Sequence, residues 1–266
     1  MYLFTTKLLL IIFTLIPLIS FADQQSNSTH KGLTIMQRAE ELNKGFGDYT
    51  ATMRMVLRNR LGDESERAIR IMVLETAEDG EKSLSIFDTP FDVKGTGFLT
   101  HSHKHSDDDQ WLYLPALKRV KRIAARNKSG SFMSSEFSYE DIAGRVVEKY
   151  NYNWLRDELF EKVECFVIEE YPKDLDNSGY SKLVTWLDKQ HYRVIKVDYY
   201  DRKNALLKTL TATDYQKYLD KYWRPSNMYM YNNQTGKSTS LTWSNYKFQQ
   251  GLTDRDFDKS SLKRTR

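Results

Sequence analysis

The chain has 266 residues, with 40 Lys and Arg against 36 Asp and Glu, 13% aromatics and a single cysteine. A hydrophobic fraction of 40% beside 29% charge excludes both a disordered chain and a multi-span helical membrane protein. One cysteine excludes a disulfide framework and a cysteine-based zinc site, and a net charge of +4 does not by itself indicate nucleic acid.

The chain opens on a secretory pattern. Lys7 precedes an almost unbroken apolar run, Leu8 to Ser20, and Ser20-Phe21-Ala22 puts small residues at a cleavage site. Residues 1–22 are expected to be a cleaved signal peptide, which places the mature chain in the periplasm. The run is shorter than the roughly 20 residues of a membrane span. The only cysteine, Cys165, lies far from the cleavage site, so no lipid anchor is expected there. Residues 23–32 are polar and read as a flexible leader. Thr34 to Gln37 reads as a capping box. It opens a helix with Ile35, Met36, Ala39 and Leu42 on one face and Gly45 as its stop.

After Gly47 the hydrophobic period changes to two. Strands are predicted around Tyr49–Leu57, Ile69–Val73 and Leu84–Ile86. Others are expected at 163–171, 182–188, 192–200, 206–213, 228–231 and 238–248, joined by hairpin turns. About ten strands with no alternating βα units predict a mainly β protein with a few helices, α+β in class. The middle differs. Gln110–Pro115 is apolar, six cations follow between Lys118 and Lys128, and Gly130–Asp141 mixes small and apolar residues before a short helix at Ile142. This break divides the strands into two runs and could supply a lid or a plug.

Several constellations carry chemistry on paper. His101, His103 and His105 would share one face of a strand, but beside three aspartates they read as a polar loop tip, and no metal site is expected. Cys165, in a strand-like segment, reads as a small buried residue rather than a nucleophile. The sequence shows no GxSxG elbow, no P-loop and no assembled carboxylate pair, so neither an enzyme nor a cofactor is expected. Lys118, Arg119, Lys121 and Arg122 put cations on both faces of a strand, which suits a sheet edge facing lipid headgroups or a partner protein. The apolar strand positions Met53, Met55, Ile69, Ile71, Leu84, Ile86, Trp186, Ile195, Val197, Tyr199, Met228, Met230, Leu241 and Trp243 are expected on inner faces. One long sheet with so little helix to fill it suggests a half-barrel under a helical lid. Periodicity leaves open whether its interior is packed core or ligand cavity.

The segment Gln110-Trp111-Leu112-Tyr113-Leu114-Pro115 through Ile123, followed by Ser131-Phe132-Met133-Ser134-Ser135-Glu136-Phe137-Ser138-Tyr139-Glu140-Asp141-Ile142, resembles the signature of outer-membrane lipoprotein-sorting proteins. These belong to the superfamily of the periplasmic lipoprotein carrier LolA. Where the family has Gly-Ser-Asp after Phe-Met, this chain has Ser134-Ser135-Glu136. The resemblance spans roughly residues 33–258, leaving 259–266 as a basic tail. It implies a single strongly curved antiparallel sheet forming an unclosed β-barrel around an apolar cavity, with helices across the mouth. It implies a soluble carrier of a lipid or lipoprotein acyl chain, with transient membrane contact, no nucleic acid, and a monomeric state. An adaptor docking on a resistance-nodulation-division type transporter, carrying no lipid, is the alternative. Trp111, Tyr113, Leu114, Pro115, Phe132, Met133, Phe137, Tyr139 and Asp141 are the motif residues, with Phe132–Ile142 expected to contribute to the lid.

Overall fold

The structure, a computed structural model, describes residues 20–264. The expected signal peptide lies outside them up to Ile19. The first element is helix α1 (Ser20–Asn43). It buries Gly32, Ile35, Met36 and Ala39, an i, i+3/i+4, i+7 stripe, against the sheet. The expected leader is therefore helical, and helix formation does not wait for Thr34. Thr34 Oγ1 donates instead to the His30 carbonyl one turn back, at 2.9 Å. The polar turns hold because they lie along a strand: Ser28 donates to the Trp154 carbonyl at 2.6 Å, and the Lys31 ammonium sits 3.3 Å over the Trp154 ring.

Thirteen strands among the described residues form one antiparallel sheet. They are β1 (Asp48–Arg58), β2 (Glu64–Leu74), β3 (Lys82–Thr89), β4 (Gly97–His101), β5 (Asp109–Leu114), β6 (Arg119–Ile123) and β7 (Tyr150–Phe160). The rest are β8 (Val163–Pro172), β9 (Tyr180–Asp188), β10 (Val194–Asp201), β11 (Leu206–Tyr218), β12 (Tyr222–Asn232) and β13 (Ser238–Phe248). The order is β6-β5-β4-β3-β2-β1-β13-β12-β11-β10-β9-β8-β7, so the first and second runs join through β1 and β13. No pairing closes β6 onto β7: the barrel is unclosed, as expected.

Two strands, β5 and β6, fall where the strand pattern seemed to break, and β4 and β7 on either side of that stretch were not expected. Gln110–Pro115 is not a lid segment but most of β5, apolar on both faces because both are covered. The cations 118–122 lie on and just before β6, an edge strand, and an edge tolerates charge on both faces.

The concave face holds the main core, in which β1 contributes Ala51, Met53 and Met55. On the convex side Arg54 pairs across the strands with Glu66. The convex face of β3, β4 and β5 is also covered. Phe257 and Leu262 bury themselves against Leu84, Ile86, Leu99 and Trp111. The basic tail is thus anchored by a fully buried Leu262, with Lys259 4.5 Å over the Trp111 ring.

Candidate ligand cavity and interior plug

Ten of the fourteen expected inner residues meet on the concave face. Met53, Met55, Ile69, Ile71, Val197, Tyr199, Met230 and Leu241 are buried in one cluster, and Met228 and Trp243 pack against it half-buried. The other four face the opposite way. Leu84 and Ile86 pair across the sheet with Met72 and Arg70, while Phe87 pairs with Ile69 and points inward. A strand with apolar residues on both faces does not reveal which face is concave, and the cover for Leu84 and Ile86 comes from the distant C-terminus. Trp186 and Ile195 share a convex-face cluster with Cys165, Val167 and Val184. Burial pushes the Cys165 thiol up to about 11, so it stays protonated.

The motif segment is a plug rather than a lid. Phe132 and Phe137 are buried in the barrel interior beside Phe87 and Phe98, with Met133 and Tyr139 packed against them. Polar anchors hold it. Ser138 caps helix α2 (Tyr139–Ile142) through a capping box with Asp141. Asp141 accepts from the Ser138 N–H at 2.7 Å, from the Tyr180 hydroxyl at 2.8 Å, and from the Lys208 ammonium at 2.5 Å. Both ends of that ion pair are about 95% buried. Lys208 also donates to the Glu136 carbonyl at 2.9 Å, and Asn232 donates to the Glu136 carboxylate at 2.7 Å. Arg67 donates to the Met133 carbonyl. The remaining motif residues line strand faces: Trp111 and Tyr113 are convex, Leu114 packs on the main core, and Pro115 opens a 3-10 turn.

The histidines diverge. His101 hydrogen-bonds the Phe257 carbonyl at 2.9 Å, and His103 Nδ1 lies 2.5 Å from Asp79. No cluster of metal-ligating side chains occurs among the described residues. The hydrogen bond from His103 lowers the Asp79 carboxyl to about 2.

What the plug leaves open is a cavity of about 470 Å³ under the C-terminal half of α1. Its apolar wall comes from Met36 and Ala39 of α1, from Phe46 and Tyr49, from Val146 and Val147 after the plug, and from Leu187 and Val194. Two arginines flank it. Arg145 pairs with the fully buried Glu170 at 3.3 Å, and it separates the cavity from a more polar hollow of about 480 Å³. Arg224 stacks 5.4 Å from Phe46 and 5.9 Å from Tyr49. It divides the cavity from a third hollow of about 490 Å³ lined by Trp223, Tyr215 and Met228. Glu81 lines the cavity and stays exposed at its mouth. Desolvation raises its carboxyl above the usual range, opposed by Arg224 and helped by Glu75.

Of this lining only α1's face was legible in the sequence. Phe46, Val146, Leu187, Val194 and the two arginines come from segments that periodicity treats separately, and only the fold brings them together. Among the described residues no helix is long and apolar enough to cross a membrane.

An unclosed thirteen-stranded half-barrel with a helix over an apolar cavity is a fold that this chain shares with solved structures. A family described as "-like: Uncharacterized protein" matches residues 79–264. A domain from Vibrio parahaemolyticus described as an outer membrane lipoprotein-sorting protein is 56% identical, over 88% of this chain and 99% of its own, with a TM-score of 0.87. A DUF1329 family protein from Desulfovibrio piger is 32% identical over 88% and 99%, with a TM-score of 0.83. A LolA superfamily protein from Nitrosomonas europaea shares the fold at 19% identity over 86% and 98%, with a TM-score of 0.70. No protein of curated function matches. The chain belongs to the outer membrane lipoprotein-sorting protein family of these relatives, and it shares its fold with the LolA superfamily protein.

Proposed function

We propose that this chain is a periplasmic carrier that shelters an acyl chain of a lipid or lipoprotein beneath α1. The observation that carries this reading is the cavity itself. Beside the plug, about 470 Å³ stays open between α1 and the sheet, walled by Met36, Ala39, Phe46, Val147, Leu187 and Val194. Each CH₂ buried there contributes about 0.8 kcal/mol, so binding requires no covalent chemistry. The Vibrio relative's description as a lipoprotein-sorting protein supports the same role. In this reading the signal peptide is cleaved after Ala22, the mature protein is a monomer, and an envelope transporter is the natural donor or acceptor. The pinned plug favours a second reading, a rigid adaptor docking on such a transporter without cargo.

One experiment separates the two. Native mass spectrometry and uptake of a fluorescent fatty acid are measured on the mature protein and on Ala39→Trp, which fills the cavity from α1. The carrier reading expects bound lipid and saturable uptake, both lost in Ala39→Trp with the melting transition retained. Uptake absent from the unmodified protein, or equal in both proteins, overturns the carrier reading and leaves the adaptor.

A further inference from the structure

The end of the barrel carrying the β1–β2, β3–β4 and β5–β6 turns presents apolar side chains to solvent. The two most exposed large apolar residues among the described ones are Phe91 (94%) and Leu61 (83%), and Leu117 is 67% exposed. All three occupy tips at the same end: Arg58 pairs with Glu64 below Leu61, Ala68 of β2 pairs with Thr89 below Phe91, and Leu114 pairs with Arg119 below Leu117.

These tips are ordered. Asn59 accepts from the N–H groups of Leu61 and Asp63 at 2.8 and 3.0 Å, holding Leu61 outward in a turn closed by Gly62 at φ +95°. In the β3–β4 loop Val93 packs into the core while Phe91, two residues earlier, points away. Leu117 ends a 3-10 turn closed by the Lys118 N–H on the Pro115 carbonyl at 3.0 Å. Side chains held out by their own turns stay available to a partner.

The charge beside them is predominantly basic. Asp88, which lines the same hollow, is neutralised by Arg70 at 2.9 Å, while Asp63, hydrogen-bonded by Asn59 at 2.8 Å, and Asp92, near Arg67, keep their charge and are outnumbered by the cations. Lys94, Lys118, Arg119 and Lys263 have no ion-pair partner among the described residues. Lys94, Lys118 and Lys263 converge with Tyr113 and Pro115 on a hollow of about 650 Å³ between the β3–β4 and β5–β6 loops. Apolar tips that enter the acyl boundary, beside unpaired lysines at headgroup depth, are the pattern of an interfacial anchor.

We propose that this hairpin rim docks on anionic phospholipid bilayers, with Phe91 and Leu117 entering the interface and Lys94, Lys118 and Lys263 holding lipid phosphates. The docking surface is separate from the cavity under α1 and does not rest on the carrier reading. The test is vesicle flotation of the mature protein with phosphatidylcholine vesicles and with vesicles also containing phosphatidylglycerol. Binding should require phosphatidylglycerol and weaken at high salt. It should fall about tenfold or more in Phe91→Ser/Leu117→Ser and in Lys94→Glu/Lys118→Glu, with unchanged melting because these side chains are exposed. Ala39→Trp should dock normally, so failure of docking and failure of the cavity are told apart. Equal binding to both vesicle types, no binding, or unchanged binding in both double variants overturns the proposal. So does concentration-dependent dimerisation that the serine variant abolishes, which would assign the rim to a second copy of the chain.

Discussion

Removing Lys208 from the plug's ion pair tests whether the motif segment is a fixed part of the core. Lys208→Met leaves the Asp141 carboxylate, 4% exposed, with only the neutral Tyr180 hydroxyl and the Ser138 N–H as donors. It also takes a donor from the Glu136 carbonyl. Breaking a buried pair by deleting one partner costs about 3–5 kcal/mol. The two remaining donors put the expected loss near about 3 kcal/mol. Against a total stability of about 5–15 kcal/mol the variant still folds. With a urea slope of about 3 kcal/mol per molar the unfolding midpoint falls by about 1 M. Adding Asp141→Asn removes the stranded charge while keeping an acceptor for Tyr180, and should return about 2 kcal/mol. Arg54→Ala, which breaks the exposed convex-face pair with Glu66, is the control and should leave the midpoint in place. Urea unfolding followed by tryptophan fluorescence on these four proteins and on Asp141→Asn alone decides it. A loss below about 1 kcal/mol for Lys208→Met, or losses that simply add in the double variant, would refute the pinned plug.

Two further outcomes follow from α1 and the cavity. Gly32→Ala should loosen α1 from β7 and destabilise the protein by about 1–3 kcal/mol, because a Cβ there meets the Trp154 backbone nitrogen at 2.8 Å and the Asn153 carbonyl carbon at 3.0 Å. Faster amide exchange in α1 would report it, and slower exchange, the result of helix propensity alone, would contradict it. Glu81→Gln should raise the melting temperature at neutral pH. The native carboxyl titrates above its unfolded value, so the native state holds the proton longer and stability falls as pH rises between the two values. The gain should vanish near pH 4, and a gain constant across pH would point to another cause.

Much of the architecture is legible in the chain because it rests on local rules. Period-two alternation marks Met53, Met55, Ile69 and Ile71 as one face, turn residues delimit the second run of strands, and the 110–142 motif carries the family. The limits are equally local. Helix α1 begins before its apparent cap because Trp154 and Asn153, more than 120 residues away, give its polar turns a surface. Leu84 and Ile86 are apolar at the expected period, yet they face outward because the C-terminal Phe257 and Leu262 cover the convex side. The motif reads equally as lid or plug until Lys208, Tyr180 and Asn232 are seen to hold it. Alternation states that a strand has two faces, and composition states that there is a core. Which face is concave, and what space remains once side chains fill it, depends on curvature and long-range pairing. Those were decided only when α1, the plug and the sheet met around the cavity.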